Sequence, residues 1–346
     1  MNNSTINVCS LDVSKAFDKI SHFALFSKLV DRSVPVNIVS ILFNWYSNSF
    51  AAVSWNGILS DQFSVCAGIR QGGILSPVLF SVYLNSLIEK LQISGLGCHI
   101  GMLFMGALMY ADDLVLLSAS VHDLQLMINI CVDELDCLDM KINAKKSSCI
   151  RFGKGFNTEC AQVMVDGTPL VWSSSIKYLG IYLKSSVKFA IDIRNCRAGF
   201  YKSFNAIYCK LSRDNVDVVI SLVKSICLPS LLYCIEVFDL NVSTLRSLDT
   251  PLFQAFGKIF KTFNKDIINS CLYYMNFMPA RFDYMLRKIK FLKNNCKSAN
   301  LLVSTLCRSV GSNELSTICQ KLDANVSDSM CTIKDRIWKS LESVVV

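Results

Sequence analysis

The stretch that most restricts the fold is IGMLFMGALMYADDLVLLSA at residues 100–119, two apolar runs that meet at the adjacent carboxylates Asp112 and Asp113. By length it matches a membrane span of about 20 residues. Each carboxylate at the centre of such a span would cost about 2.5–3.5 kcal/mol, and no second uninterrupted span is expected elsewhere. Two strand-sized runs joined by a tight acidic turn at Ala111-Asp112-Asp113 fit better and predict a hairpin over 102–118. A third carboxylate, Asp12, ends the apolar run INVCSLDV at 6–13. A carboxylate at the end of a buried strand costs desolvation unless something positive pairs with it. Basic residues are sparse here: Lys15 and Lys19 follow Asp12, and none closely neighbours the pair. A divalent cation is a natural partner, since Mg²⁺ takes one or two carboxylates plus substrate phosphates. Ions held in this way are the apparatus of in-line phosphoryl transfer. An Asp-Asp turn alone is equally the mark of an ordinary hairpin, so its surroundings decide.

Around these acids the pattern alternates helix and strand. Helices are expected over 21–34, with Ser21 as N-cap, and over 36–48. A hairpin turning at Asn56-Gly57 spans 51–65, and a glycine-rich start at 68 leads into a long helix to 91. Leu124, Met127, Ile128, Cys131, Leu135 and Leu138 recur at helical spacing and predict a helix over 121–143. Short strands follow at 147–153 and within 163–183, the first of the latter pair turning at Asp166-Gly167. The order predicts an α+β fold whose helices pack on a largely antiparallel sheet. Beyond about 186 strand signals fade. Helix-compatible stretches take over, with breaks expected at Pro229, Pro251 and Pro279, and RFDYMLRKIKFLKNNCK (281–297) is basic and amphipathic.

Apolar residues make up 52% of the 346, which excludes disorder. Charge is unevenly spread: residues 1–185 carry 13 basic and 14 acidic side chains, residues 186–346 carry 22 and 13. A basic second half suggests a polyanionic partner or an ordinary solvated surface. The 16 cysteines are scattered, with no CxxC and no zinc-finger spacing, and most are expected to be reduced core residues. The opening MNNSTINVCSLDVSKAFD lacks a basic leader and a long apolar run. Together these make an intracellular chain, neither secreted nor in a membrane, the expectation, with nucleus or cytoplasm left open.

YADD at 110–113 resembles the catalytic hairpin of reverse transcriptases. LDVSKAFD (11–18), GIRQGGILSPVLFSVYLN (68–85), LDMKINAKKS (138–147) and KYLGIYL (177–183) resemble the family's other blocks, in order across about 175 residues. DVSKAFD and QGGILSPVLF are most similar to non-LTR (LINE-type) retrotransposons. The resemblance implies an RNA-directed DNA polymerase built on a palm (1–185), a helical thumb-like region (186–300) and a C-terminal extension of unknown role (301–346). It implies that Asp12, Asp112 and Asp113 are ligands of two Mg²⁺ ions, with Mn²⁺ a possible substitute. Phe17 matches the aromatic beneath the incoming sugar that selects deoxynucleotides, or is a core phenylalanine. Gln71 and Gly72 match positions near nucleotide and template. Arg70 is either a phosphate contact or a solvated side chain. Lys146 matches the lysine that protonates pyrophosphate, with Lys145 an alternative one residue away. Tyr178, Leu179 and Gly180 resemble the hairpin that grips the primer end. Expected partners are an RNA template, a DNA primer, their duplex and dNTPs.

The family places a fingers region before the first block, which begins here at residue 11, and LINE-type proteins usually add an endonuclease and often a Cys/His knuckle. The chain therefore reads as a piece of a retrotransposon open reading frame. A group II intron-type or telomerase-type enzyme is disfavoured by DVSKAFD. A catalytically crippled nucleic-acid-binding remnant is the other alternative, although all three acids are intact.

Overall fold

The computed structural model describes residues 4–211 and 215–345; the first three residues of the opening stretch and Val346 lie outside it. The fold is mixed α+β and divides into two units. One comprises residues up to Tyr178 together with Lys184–Lys188; the other comprises Leu179–Leu183 and Phe189 onward.

The first unit is organised around β1 (Ile6–Asp12). Its neighbours are β2 (Ala107–Tyr110), β3 (Asp113–Ser118), β4 (Ser148–Phe152) and the short β5 (Val171–Trp172), in the order β5-β4-β1-β3-β2. All pairings are antiparallel except β4 with β5. The central position of β1 buries Val8, Cys9 and Leu11, and also Asn7, whose side-chain amide donates to the Ser118 and Ala119 carbonyls. Helices α1 (His22–Asp31), α2 (Val36–Ser47), α3 (Ser76–Ile93) and α4 (Val121–Cys137) accompany the sheet. They bury Leu25, Tyr83, Leu87, Met127, Ile128 and Cys131 in one core with Cys9 and Leu116. Ser21 caps α1, accepting the Ala24 N–H, and Ser120 caps α4 through the Asp123 N–H. The Asn56-Gly57 turn sits at φ 48° and 82°, the left-handed pair that a two-residue hairpin demands.

Two expectations need correction here. The hairpin around the acids is shorter than 102–118: residues 99–104 form a separate ribbon, His99–Ile100 against Leu103–Phe104. The helix predicted to 143 stops at Cys137, because Asp139 turns left-handed (φ 57°) and the Met140 N–H bonds back to the Leu135 carbonyl. That reversal lets Ile142 bridge Val13.

The second unit is mainly helical: α5 (Ile193–Lys210), α6 (Val216–Leu222), α7 (Leu228–Leu231), α8 (Val242–Phe260), α9 (Lys265–Tyr274), α10 (Ala280–Asn295), α11 (Leu301–Leu306), α12 (Ser312–Lys321) and α13 (Met330–Val345). Phe200, Phe204, Leu231, Leu248 and Phe256 form one core, and Ile289, Leu292, Leu315, Ile318 and Ile333 a second. Pro251 does not end a helix as expected. It lies buried inside α8, where Leu245, Leu248, Leu252 and Phe256 bury enough apolar surface to outweigh the ~3 kcal/mol an internal proline costs. The stretch Val216–Val237 is also long and apolar enough to cross a membrane, contrary to the expectation of no second such stretch. It is not one straight helix: a π-helical segment follows α6, and Cys234 turns left-handed before a 3₁₀ turn. Val219, Val223, Cys227, Leu231 and Ile235 face the core. Of the sixteen cysteines, all free, only Cys9, Cys131, Cys149, Cys227 and Cys319 are buried, so most are not core residues.

Candidate active site

Asp12 ends β1 and Asp113 begins β3, and the antiparallel register sets them directly opposite each other. Cross-strand neighbours have Cβ atoms about 4.5–5.5 Å apart, where like charges repel. Asp112 occupies the two-residue turn between β2 and β3, closed by pairing of Tyr110 with Asp113. The turn holds Ala111 in the left-handed region at φ 53°, a strained setting for a residue with a Cβ. Burial pushes the Asp113 carboxyl up, and the charges of Asp112 and Asp12 push it further. The strand ends thus bring all three acids into one electrostatic neighbourhood.

The backbone of Asp12 is clamped on both sides. Its N–H donates to Ser147 Oγ at 3.0 Å, and its carbonyl accepts the Asn143 N–H at 2.8 Å. Ser147 Oγ in turn donates to the Asn143 carbonyl at 2.8 Å, and Ser147 is buried. The same turn delivers Lys146, whose Nζ lies 3.9 Å from Asp12 Oδ2. Lys145 is exposed. Neither Ser147 nor Asn143 stood out in the sequence, where a serine and an asparagine in a polar segment look like ordinary turn residues.

Phe17 follows Asp12 by five residues and stacks face to face on Phe80, centroids 4.4 Å apart. It is partly buried against the core. Arg70, Gln71 and Gly72 are exposed in the loop before α3. Gln71 donates to Asp18 Oδ1 at 3.3 Å, and Gly72 has φ 82° with open space where a Cβ would stand. The loop is pinned by Gly68, whose added Cβ would lie 2.9 Å from the Asp18 carbonyl oxygen. Only glycine permits that approach at φ 86°. Tyr178 is half-buried, and burial and then the Asp113 charge push its phenol up. Leu179 and Gly180 belong to the second unit. There the Leu179 carbonyl accepts from Tyr233 Oη at 3.3 Å and both residues have positive φ.

Among the described residues no three His, Cys, Asp or Glu side chains close into a ready-made metal cage. The acids nonetheless suit a hard cation that keeps much of its water shell. They are oxygen donors crowded at two adjoining strand ends, with Lys146 the one cation among the described residues that reaches Asp12.

The reverse transcriptase (RNA-dependent DNA polymerase) family matches residues 2–183. A Pol polyprotein from the Drosophila melanogaster type-2 retrotransposable element R2DM is 33% identical over 184 residues, 50% of this chain and 17% of that protein. The RNA-directed DNA polymerase from mobile element jockey of Drosophila funebris is 26% identical, covering 68% of this chain and 26% of that protein. A Popillia japonica type-1 element R2 polyprotein is 28% identical, covering 71% and 35%. The chain thus spans about a third or less of each of these relatives. A telomerase structure from Candida tropicalis, with a TWJ fragment of telomeric RNA, aligns at a TM-score of 0.40 and 10% identity over 91% of this chain and 49% of that one. The chain therefore belongs to the reverse transcriptase (RNA-dependent DNA polymerase) family.

Proposed function

We propose that this chain carries the nucleotidyl-transfer centre of a non-LTR retrotransposon polymerase, copying an RNA template by adding deoxynucleotides to a primer 3′-hydroxyl. The observation that carries the reading is the Asp12–Asp113 register with Asp112 in the adjoining turn. In this reading Asp12, Asp112 and Asp113 hold two Mg²⁺ ions. When bound, the ions neutralise charge on the triphosphate and the attacking oxygen. The Ser147 and Asn143 clamp fixes the Asp12 backbone so that its carboxylate needs little reorganisation. Lys146, beside Asp12, supplies a proton and positive charge to the leaving pyrophosphate. Phe17, braced from behind by Phe80, offers a flat ring against the sugar that excludes a 2′-hydroxyl. Arg70, Gln71 and Gly72 line the approach of nucleotide and template, with Gly72 leaving room for close backbone contact. Residues 1–185 act as the palm. The basic residues of 186–300 act as a thumb that follows the duplex through its phosphates, with Tyr178, Leu179 and Gly180 gripping the primer end.

The test is primer extension on an RNA template with dNTPs and Mg²⁺, run beside Asp112→Asn. Extension by the parent chain that the variant lacks, with both melting alike, supports the assignment. Equal extension by both would remove Asp112 from the chemistry.

A further inference from the structure

The second unit holds a cavity of about 460 Å³ that the polymerase reading does not use. Its walls come from α8, α9, α13 and the loop at 277–279. Four aromatic side chains line it: Phe253, Tyr273, Phe277 and Trp338. Two carboxylates join them, Asp249 in the wall and Asp266 at the exposed rim. Among the described residues no lysine or arginine is in the lining, although residues 186–346 carry 22 basic side chains against 13 acidic; Lys224, outside the lining, places its Nζ over the Phe277 ring at 5.7 Å. The negative character is therefore local and runs against its surroundings.

Geometry strengthens this. Tyr273 and Trp338 meet edge to face at 5.6 Å and 66°, giving two nearly perpendicular aromatic walls. Asp249 Oδ1 accepts the Ala280 N–H at 2.6 Å, and the carboxylate makes no ion pair among the described residues. The neighbouring guanidinium of Arg281 lies over the Phe282 ring at 4.3 Å, outside the lining. Burial pushes the Asp249 carboxyl up and outweighs the Ala280 hydrogen bond and the Arg281 charge. Aromatic faces attract cations, most strongly where water is excluded. The volume lies in the range of small-molecule sites and far exceeds what a single metal ion needs.

We infer that this cavity is a binding site for an organic cation of the alkylammonium class, held between the Asp249 carboxylate and the aromatic rings of Tyr273 and Trp338. A neutral ligand of the same shape would fill the volume and leave the carboxylate uncompensated.

The experiment titrates the intact chain with choline at fixed ionic strength and follows tryptophan fluorescence. Trp338→Phe shows which part of the signal comes from the cavity, since Trp45, Trp55 and Trp172 lie elsewhere. The expected result is a saturable change that Trp338→Phe removes. Asp249→Asn should weaken binding at least tenfold without altering thermal melting, because its amide oxygen still accepts the Ala280 N–H. The uncharged isostere 3,3-dimethyl-1-butanol should bind at least tenfold more weakly than choline. A peptide bearing trimethyllysine, run alongside, separates the sources: tighter binding than choline places the ammonium on a protein partner, weaker binding on a free small molecule, and either supports the site. Equal affinity for the neutral isostere would overturn the inference. So would unchanged choline binding in Asp249→Asn, or no saturable binding of either cation.

Discussion

Replacing Ser147 with alanine isolates the clamp that positions Asp12. The hydroxyl accepts the Asp12 N–H at 3.0 Å and donates to the Asn143 carbonyl at 2.8 Å, from a side chain that is only 3% exposed. Alanine fits the same space but leaves the Asp12 N–H without that acceptor. An orphaned, largely buried donor costs about 1–3 kcal/mol. At roughly 2–4 °C per kcal/mol for a unit of this size, the melting temperature should fall by roughly 2–12 °C. Asp12 keeps its second tether, the Asn143 N–H on its carbonyl, so the fold should survive. Loosening the carboxylate by about 1.4 kcal/mol in the transition state would slow extension about tenfold. The loss should appear in kcat with the nucleotide KM little changed, since the residues proposed to face the nucleotide are untouched. Ser147→Thr retains the hydroxyl and should recover most of the rate. The assay is steady-state single-nucleotide extension, paired with thermal melting. A Ser147→Ala chain that melts and extends like the parent would refute the clamp argument. Slowed extension that Ser147→Thr fails to restore would show that packing, not the hydrogen bond, matters there.

Other substitutions test other parts of the account. Phe17→Val removes the ring stacked on Phe80 and should cost about 1–2 kcal/mol in stability while raising ribonucleotide incorporation relative to deoxynucleotide; an unchanged preference would take Phe17 out of sugar selection. Gly68→Ala puts a Cβ 2.9 Å from the Asp18 carbonyl oxygen at φ 86° and should destabilise by about 2 kcal/mol or more in urea unfolding; a neutral result would mean the loop shifts freely. Burial pushes the Glu134 carboxyl up, but hydrogen bonds from Lys90 and Ser86 and the nearby lysine charges pull it below its usual range. A depressed folded value stabilises above the unfolded pKa of about 4.3 and loses that stability as pH falls through the folded value. Urea midpoints of the parent should therefore drop more steeply than those of Glu134→Gln on acidification below about pH 4.3. Parallel curves would assign acid sensitivity elsewhere.

The acids were legible in the sequence because Asp12 and the Asp112-Asp113 pair interrupt apolar runs, so their positions at strand ends and in the adjoining turn follow from the pattern. Their mutual register was not legible. Asp12 and Asp113 are 101 positions apart, and only the pairing of β1 with β3 sets them opposite. Ser147 and Asn143 were missed for a related reason: their role rests on backbone hydrogen bonds to a residue distant in sequence, which leave no local signature. The helix predicted to 143 overran because Leu138 continues the apolar period, whereas Asp139 turns left-handed and redirects the chain. Pro251 misled in the opposite sense, since tertiary burial overrode a strong local breaker. The cavity in the second unit has no sequence signal at all, because its rings come from separate helices at ordinary core spacing.

The central claim is that Asp12, Asp112 and Asp113 together hold divalent cations for nucleotide transfer. The most direct measurement is Mn²⁺ binding, followed by electron paramagnetic resonance, to the chain with an RNA–DNA primer–template and a non-extendable nucleotide. The parent should bind Mn²⁺ that Mg²⁺ displaces, and Asp12→Asn should lose that binding while keeping the same melting temperature. Equal Mn²⁺ binding by parent and variant would contradict the account and leave the three acids as a feature of the hairpin alone.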